Sequence, residues 1–241
     1  MKRILAVILL SVIIMNVYSQ RVNIYQSGIS GQQNLNAISN LAPYSSGGMG
    51  IDTRYSGVVG TPRLFDTLLI SYLLLNDKDF YIKLETDIDV FSNAVLYTDP
   101  RTRKLFALPC GIVKELIIIK DTAELVFRPT QGLNFNKPFR ENKFCQVLAE
   151  GPVMFIKIPV KKFTEADYKG AYSVDRRYDE YEYIVKYYIT GNNGALNQIQ
   201  LNRKSLIKAF PGKKALINET IRDNDPENNE SMVITLLKEL L

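Results

Sequence analysis

The sequence predicts a mainly β protein of the α+β kind: an antiparallel β-meander forming a curved sheet, sandwich or barrel-like body, with short C-terminal helices packed on it. Three observations carry this. Apolar and polar residues alternate with period two through the middle of the 241 residues. Turn-forming pairs cut that alternation at short intervals. After Asn202 the apolar period lengthens to that of a helix.

Taken in order, the chain opens with Lys2 and Arg3 before an apolar run from Ile4 to Met15, broken only by Ser11, and Val17 and Ser19 suit a cleavage site before Gln20. Residues 1–19 therefore read as a secretory signal peptide, since the run is shorter than the 18 or more apolar residues that span a bilayer. With no Cys near the cut, a lipid-modified terminus is not expected. Residues 20–50 are rich in Gln, Asn, Ser and Gly and read as a flexible polar arm.

Residues 51–201 form the β domain. Phe80, Ile82, Leu84, Thr86 and Ile88 alternate with Tyr81, Lys83, Glu85, Asp87 and Asp89, and Tyr181, Tyr183, Val185, Tyr187 and Ile189 repeat the pattern. Further strands are expected at 68–75, 90–97, 104–108, 113–119, 124–128, 144–149, 153–159 and 196–201. Asn76-Asp77, Asp99-Pro100, Lys120-Asp121, Gly151-Pro152 and Gly191-Asn192-Asn193-Gly194 supply the turns. Connections this short force antiparallel neighbours, because a parallel crossover needs about a dozen residues. A lipid-embedded barrel is not expected, because it would show lipid-facing apolar residues on every strand and aromatic girdles. Residues 202–241 read as helices over 205–210 and 213–222, then an amphipathic helix carrying Met232, Val233, Leu236, Leu237 and Leu240 on one face.

Composition narrows the function. With no His in the chain, Ser-His-Asp and Cys-His nucleophile systems and histidine-ligated metals are excluded. The formal charge of +5 falls to +3 once Lys2 and Arg3 leave, and between Lys161 and Lys186 six basic residues face six acidic ones. Nucleic-acid binding wants an unbalanced basic patch, so no nucleic acid is expected as partner. Cys110 and Cys145 both lie beside strands and stand as a candidate disulfide.

Candidate chemistry is sparse. Ser205-Leu206-Ile207-Lys208 has the Ser-x-x-Lys spacing but no accompanying acyl-transfer elements, and a Ser opening a helix is ordinarily a cap. Glu85, Asp87 and Asp89 step along one strand face about 7 Å apart and read as solvated surface, though a second carboxylate would make them hydrolytic or Ca²⁺-binding candidates. Gly57-Val58-Val59-Gly60-Thr61-Pro62 lacks the Gly-Lys-Ser/Thr ending of a phosphate loop. Tyrosines crowd 168–188 beside two arginines, a composition typical of binding surfaces. Alternation puts Tyr181, Tyr183 and Tyr187 on a buried face. Tyr168, Tyr172, Arg176, Arg177, Tyr178 and Tyr188 are left as the expected contact residues.

The segment from Tyr55 through Gly57-Val58-Val59-Gly60-Thr61-Pro62-Arg63-Leu64-Phe65, with the meander and the closing Leu206-Ile207-Lys208-Ala209-Phe210-Pro211-Gly212-Lys213-Lys214, resembles a group of exported Bacteroidota proteins without assigned activity. The resemblance spans about Tyr55 to Leu241. It implies a cell-envelope setting and supplies no catalytic residues. The helical C-terminus departs from the β-sandwich sorting domain of that phylum's secretion cargo.

The expectation is an exported, non-enzymatic protein of the periplasm or the periplasmic face of the outer membrane. It would carry no cofactor or metal, span no membrane once cleaved, and bind another envelope protein. The alternative is a carrier sheltering a lipid or other apolar ligand in the curved sheet, with glycan binding also open to the tyrosines. A carboxylate-dependent hydrolase is the third reading.

Overall fold

A computed structural model describes residues 29, 31–49, 58–137, 141–166, 178–191, 194–221 and 226–239. The expected signal peptide lies outside the described residues. The alternating runs form strands β1 (Ser46–Met49), β2 (Leu69–Leu75), β3 (Ile82–Asp89), β4 (Ala94–Thr98), β5 (Leu105–Pro109) and β6 (Val113–Lys120). They continue as β7 (Ala123–Pro129), β8 (Phe144–Ala149), β9 (Phe155–Thr164), β10 (Glu180–Thr190) and β11 (Leu196–Ile199). Together they make one antiparallel sheet of eleven strands in the order β1-β5-β4-β3-β2-β6-β7-β8-β9-β10-β11. Asp121, at φ 56°, supplies the left-handed residue of the two-residue turn that sets Lys120 opposite Ala123.

The meander breaks between β1 and β2 and again between β5 and β6, and the second break shows that the sheet curls. β5 and β6 are four strand spacings apart, about 19 Å if the sheet were flat, yet only the 3-10 turn Cys110–Ile112 joins them. The four residue steps from Pro109 to Val113 reach at most ~14 Å. Curling brings the end of β5 to the start of β6, where Cys110 donates its N–H to Asn93 O and Asn76 donates to Ile112 O, both at 3.0 Å.

Most of the buried apolar side chains of the strands gather in two clusters. Leu73, Ile82, Val95, Leu108, Leu116, Ile118 and Phe127 belong to the larger cluster. Phe155, Ile189 and Ile199 form a second, roofed by α2 (Arg203–Ala209), α3 (Lys214–Thr220) and α4 (Pro226–Glu239) through Leu206, Ile217, Val233, Leu236 and Leu237. The helices therefore pack on the sheet as the sequence predicts. α4 is also pinned by charge: Lys157 Nζ lies 2.9 and 3.0 Å from the Glu230 carboxylate oxygens, and Tyr187 donates its hydroxyl to Glu230 Oε2 at 2.8 Å.

The polar arm expected over residues 20–50 is corrected for residues 31–49, while residues 20–28, 30 and 50 lie outside the described residues. Gly31–Ser39 forms helix α1, Ala42–Tyr44 a 3-10 turn and Ser46–Met49 the first strand. Leu35, Ile38 and Leu41 recur at helical spacing, and Ile38 and Leu41 are buried in the main core. The Asn34 side chain exchanges two hydrogen bonds with the Lys83 backbone, 2.7 Å to its O and 2.8 Å from its N–H, and so closes β3 where β4 does not reach. Among the described residues, no helix is long and apolar enough to cross a membrane.

Candidate functional site

A short strap, residues 58–66, ties the two halves of the curled sheet. At one end Val59 pairs with β10: it donates its N–H to Asp179 O at 2.8 Å and accepts from Tyr181 N–H at 2.9 Å. At the other it pairs with β3, where Leu64 donates to Ile88 O and Val90 to Pro62 O, both at 2.9 Å. β3 and β10 are six spacings apart, about 29 Å in a flat sheet, so a link this short requires the same curl. Phe91, in the β3–β4 turn, meets Tyr181 edge-on at 5.5 Å, and Tyr181 packs on Phe163 at 4.9 Å.

The strap is locked to β3 by a buried carboxylate. Asp87 is 0% exposed; its Oδ1 accepts N–H groups from Phe65 at 3.1 Å and Ile88 at 2.7 Å, and its Oδ2 pairs with Arg63 Nε at 2.9 Å. Burial pushes the carboxyl above its ordinary value of 3.8, against the pull of those donors and of the Arg63 charge. The expectation of a solvated row is corrected at this residue, because the strap covers it. Glu85 is exposed, and Asp89 Oδ1 accepts the Ser92 N–H at 2.8 Å in a turn. Each acid is thus occupied structurally or faces water. Among the described residues, no group of three or more acids or cysteines could hold a metal ion.

Around this seam, large apolar side chains face solvent. Val59 is 51% exposed, Phe91 51%, Tyr178 62% and Tyr183 48%. Lys161 Nζ sits 4.9 Å over the Tyr183 ring. Of the expected contact residues, Tyr178 is exposed just before β10, while Tyr168, Tyr172, Arg176 and Arg177 lie outside the described residues. Tyr188 is corrected: it is 7% exposed, edge-on to Phe135 at 5.2 Å in a small cluster on the sheet's other face. The expected buried row is also corrected, since Tyr181 is buried, Tyr187 half-buried and Tyr183 exposed. Val59 and Phe91 carried no sequence signal as contacts, Val59 lying in a glycine-bounded turn and Phe91 in the strand expected over 90–97.

The seam exposes backbone as well. Tyr181 donates outward to Val59 O, Gly191 donates to Ala195 O, and Thr190 donates to Met154 O on the β9 side, all at 2.9 Å. Odd-numbered residues of β10 therefore turn their peptide groups to the outer edge. β11 joins that edge only from Tyr187, opposite Ile199. Gly60, at φ 78°, with space for a Cβ only 3.0 Å from Tyr181 O, turns the strap away just past Tyr181. Between these limits, the N–H and C=O groups of Tyr183 and Val185 meet no partner among the described residues.

Other candidates resolve into structure. Cys110 and Cys145 are both buried free thiols in this structure. Cys110 packs with Phe144 in the main core, whereas Cys145, next along the strand, points into the opposite face. Burial pushes each thiol up to about 12, so neither is a ready nucleophile. Ser205 lies within α2, whose cap is Asn202 Oδ1 accepting the Ser205 N–H at 2.9 Å; the Ser205 hydroxyl oxygen accepts the Gln200 N–H, and Lys208 is exposed. A half-open groove of about 470 Å³ is lined by Arg128, Cys145, Val147, Met154 and Ile156. Arg128 is already matched by Glu115 at 2.6 Å and Glu150 at 2.7 Å, and Tyr81 donates to Glu115 Oε1 at 2.6 Å.

Comparison with protein-family models, curated proteins and solved structures finds no match to this chain.

Proposed function

We propose that this is an exported, non-enzymatic protein of the cell envelope, in the periplasm or on the periplasmic face of the outer membrane, that works as a binding subunit for another envelope protein. The observation that carries the reading is the exposed aromatic surface on one side of β10, where Phe91, 51% exposed, meets Tyr181 edge-on and Tyr183, 48% exposed, follows two residues along on the same strand face. Rigid aromatic side chains gathered at one place offer much contact area at little conformational cost, as interaction surfaces do. The test places photo-crosslinking residues at 91 and 178 in the native host, with 83 and 124 as exposed controls on other strands. A discrete protein adduct from the seam positions alone is expected; adducts of equal yield from all four positions, or none, contradict the reading.

The carrier reading draws on one observation, a half-open groove of about 660 Å³ between α1 and the β2–β3 turn, lined largely by Ile29, Ala37, Leu41, Tyr44, Phe80 and Ile82. Its size and lining suit a single apolar ligand. Extraction of gently purified protein followed by lipid mass spectrometry tests it: a stoichiometric lipid supports the carrier, and a lipid-free protein removes it.

A further inference from the structure

We propose that the partner engages this protein by strand addition, laying an extended segment of about five residues along β10 from Glu182 to Lys186. The inference rests on the binding-subunit reading and names the chemistry of what is bound. The peptide groups of Tyr183 and Val185, unpaired among the described residues, present donor and acceptor in the alternation of a ladder. Only another extended backbone satisfies such a row, and side-chain pockets then add selectivity.

The two outer edges of the β9–β10 ribbon differ in how they meet solvent. β8 pairs with β9 only through Lys157, so β9 also has an edge that β8 does not cover. Residues turned toward that edge include Pro159, which has no N–H to offer, and Lys161. Proline and lysine are the ordinary means of blunting an edge against stray pairing. The β10 edge has neither device at its outward positions: Tyr183 and Val185 lie in unbroken register with β9, from Glu180 opposite Thr164 to Ile189 opposite Phe155.

The slot also limits what can enter. It is bounded by the strap at Tyr181 and by β11 at Tyr187, a span of about 20 Å. A second copy of β10, 11 residues long, would collide with Val59 or β11, so the occupant is a loop or chain end that bends away at both limits. Side chains set its preferred order. Lys186 and Glu182 lie on one face and Tyr183 and Val185 on the other. An antiparallel segment therefore begins acidic opposite Lys186, carries apolar residues opposite Val185 and Tyr183, and ends basic opposite Glu182.

The experiment uses the full chain and a synthetic peptide, acetyl-Asp-Val-Ile-Tyr-Lys-amide, read by residue-resolved amide exchange. Peptide addition is expected to slow exchange at Tyr183 and Val185 and leave Lys161 and Phe163 on the β9 edge unchanged. N-methylation of the peptide's second and fourth residues, whose N–H groups would enter the ladder, should weaken binding roughly tenfold or more; N-methylation of the third should not. No slowing at millimolar peptide, or equal weakening by all three methylations, overturns strand addition. So does a photo-crosslinked partner complex in which Tyr183 and Val185 still exchange freely, and in that case the binding-subunit reading survives.

Discussion

The strap treats its two strands differently. Against β3 it commits two backbone hydrogen bonds, an ion pair and a fully buried carboxylate. Against β10 it commits only Val59 and then turns away at Gly60. The β3 corner is a closed joint in which the Asp87 carboxylate is fully partnered, whereas the β10 edge, among the described residues, stops being paired where Tyr183 is exposed. Stability is concentrated at the first and the proposed binding falls at the second, and variants should separate them.

The largest effect is expected at the closed joint. Arg63→Ala leaves Asp87 ionised, buried and without its countercharge, and should cost about 3–5 kcal/mol at pH 7. Because burial already raises the Asp87 pKa, the stability tied to its protonation is fully present below 3.8 and is lost as pH rises through the folded value. Removing Arg63 raises that value further. The deficit should therefore be greatest at neutral pH and shrink as pH falls into the carboxylate range, as urea unfolding at pH 7 and pH 4 would show. A deficit independent of pH would place the cost in lost packing instead.

A smaller effect is expected at the open end. Gly60→Val puts a β-branched residue at positive φ against Tyr181 O and should cost about 1–2 kcal/mol. Its signature is local: the Tyr181 amide, donated to Val59, should lose protection, while those of Leu64 and Val90 keep theirs. Equal loss at all three would mean that the strap moves as one piece. The smallest effect is expected from pH on partner binding. With no imidazole in the chain, affinity should change by less than about twofold between pH 5.5 and 8 in a titration at constant salt. A steep dependence would point to titrating groups supplied by the partner.

The strands and the C-terminal helices were legible because period and turn chemistry are local. What escaped was cover, which depends on elements far apart in sequence. Asp87 sits on the polar phase of β3, yet the strap buries it. Tyr188 sits on the polar phase of β10, but Phe135 packs over it. Tyr183 belongs to the apolar phase and is left bare, because the helical roof over Phe155 and Ile189 does not extend that far. Helix α1 was hidden by its Gln and Asn content, although Leu35, Ile38 and Leu41 held the spacing. The β5–β6 connection, which forces the curl, has no marker in the sequence, since strand order is not a local property. Of the two expected contact residues that are described, Tyr178 is exposed and Tyr188 buried, because a tyrosine count does not reveal which side chains a neighbouring element covers.

The open edge of β10 is tested most directly by amide exchange in the isolated full chain. Tyr183 and Val185 should exchange fast while Glu182, Ile184 and Lys186, turned toward β9, are protected, an alternation along five consecutive residues. Uniform protection from Glu182 to Lys186 would mean that the edge is already covered, and would contradict the account.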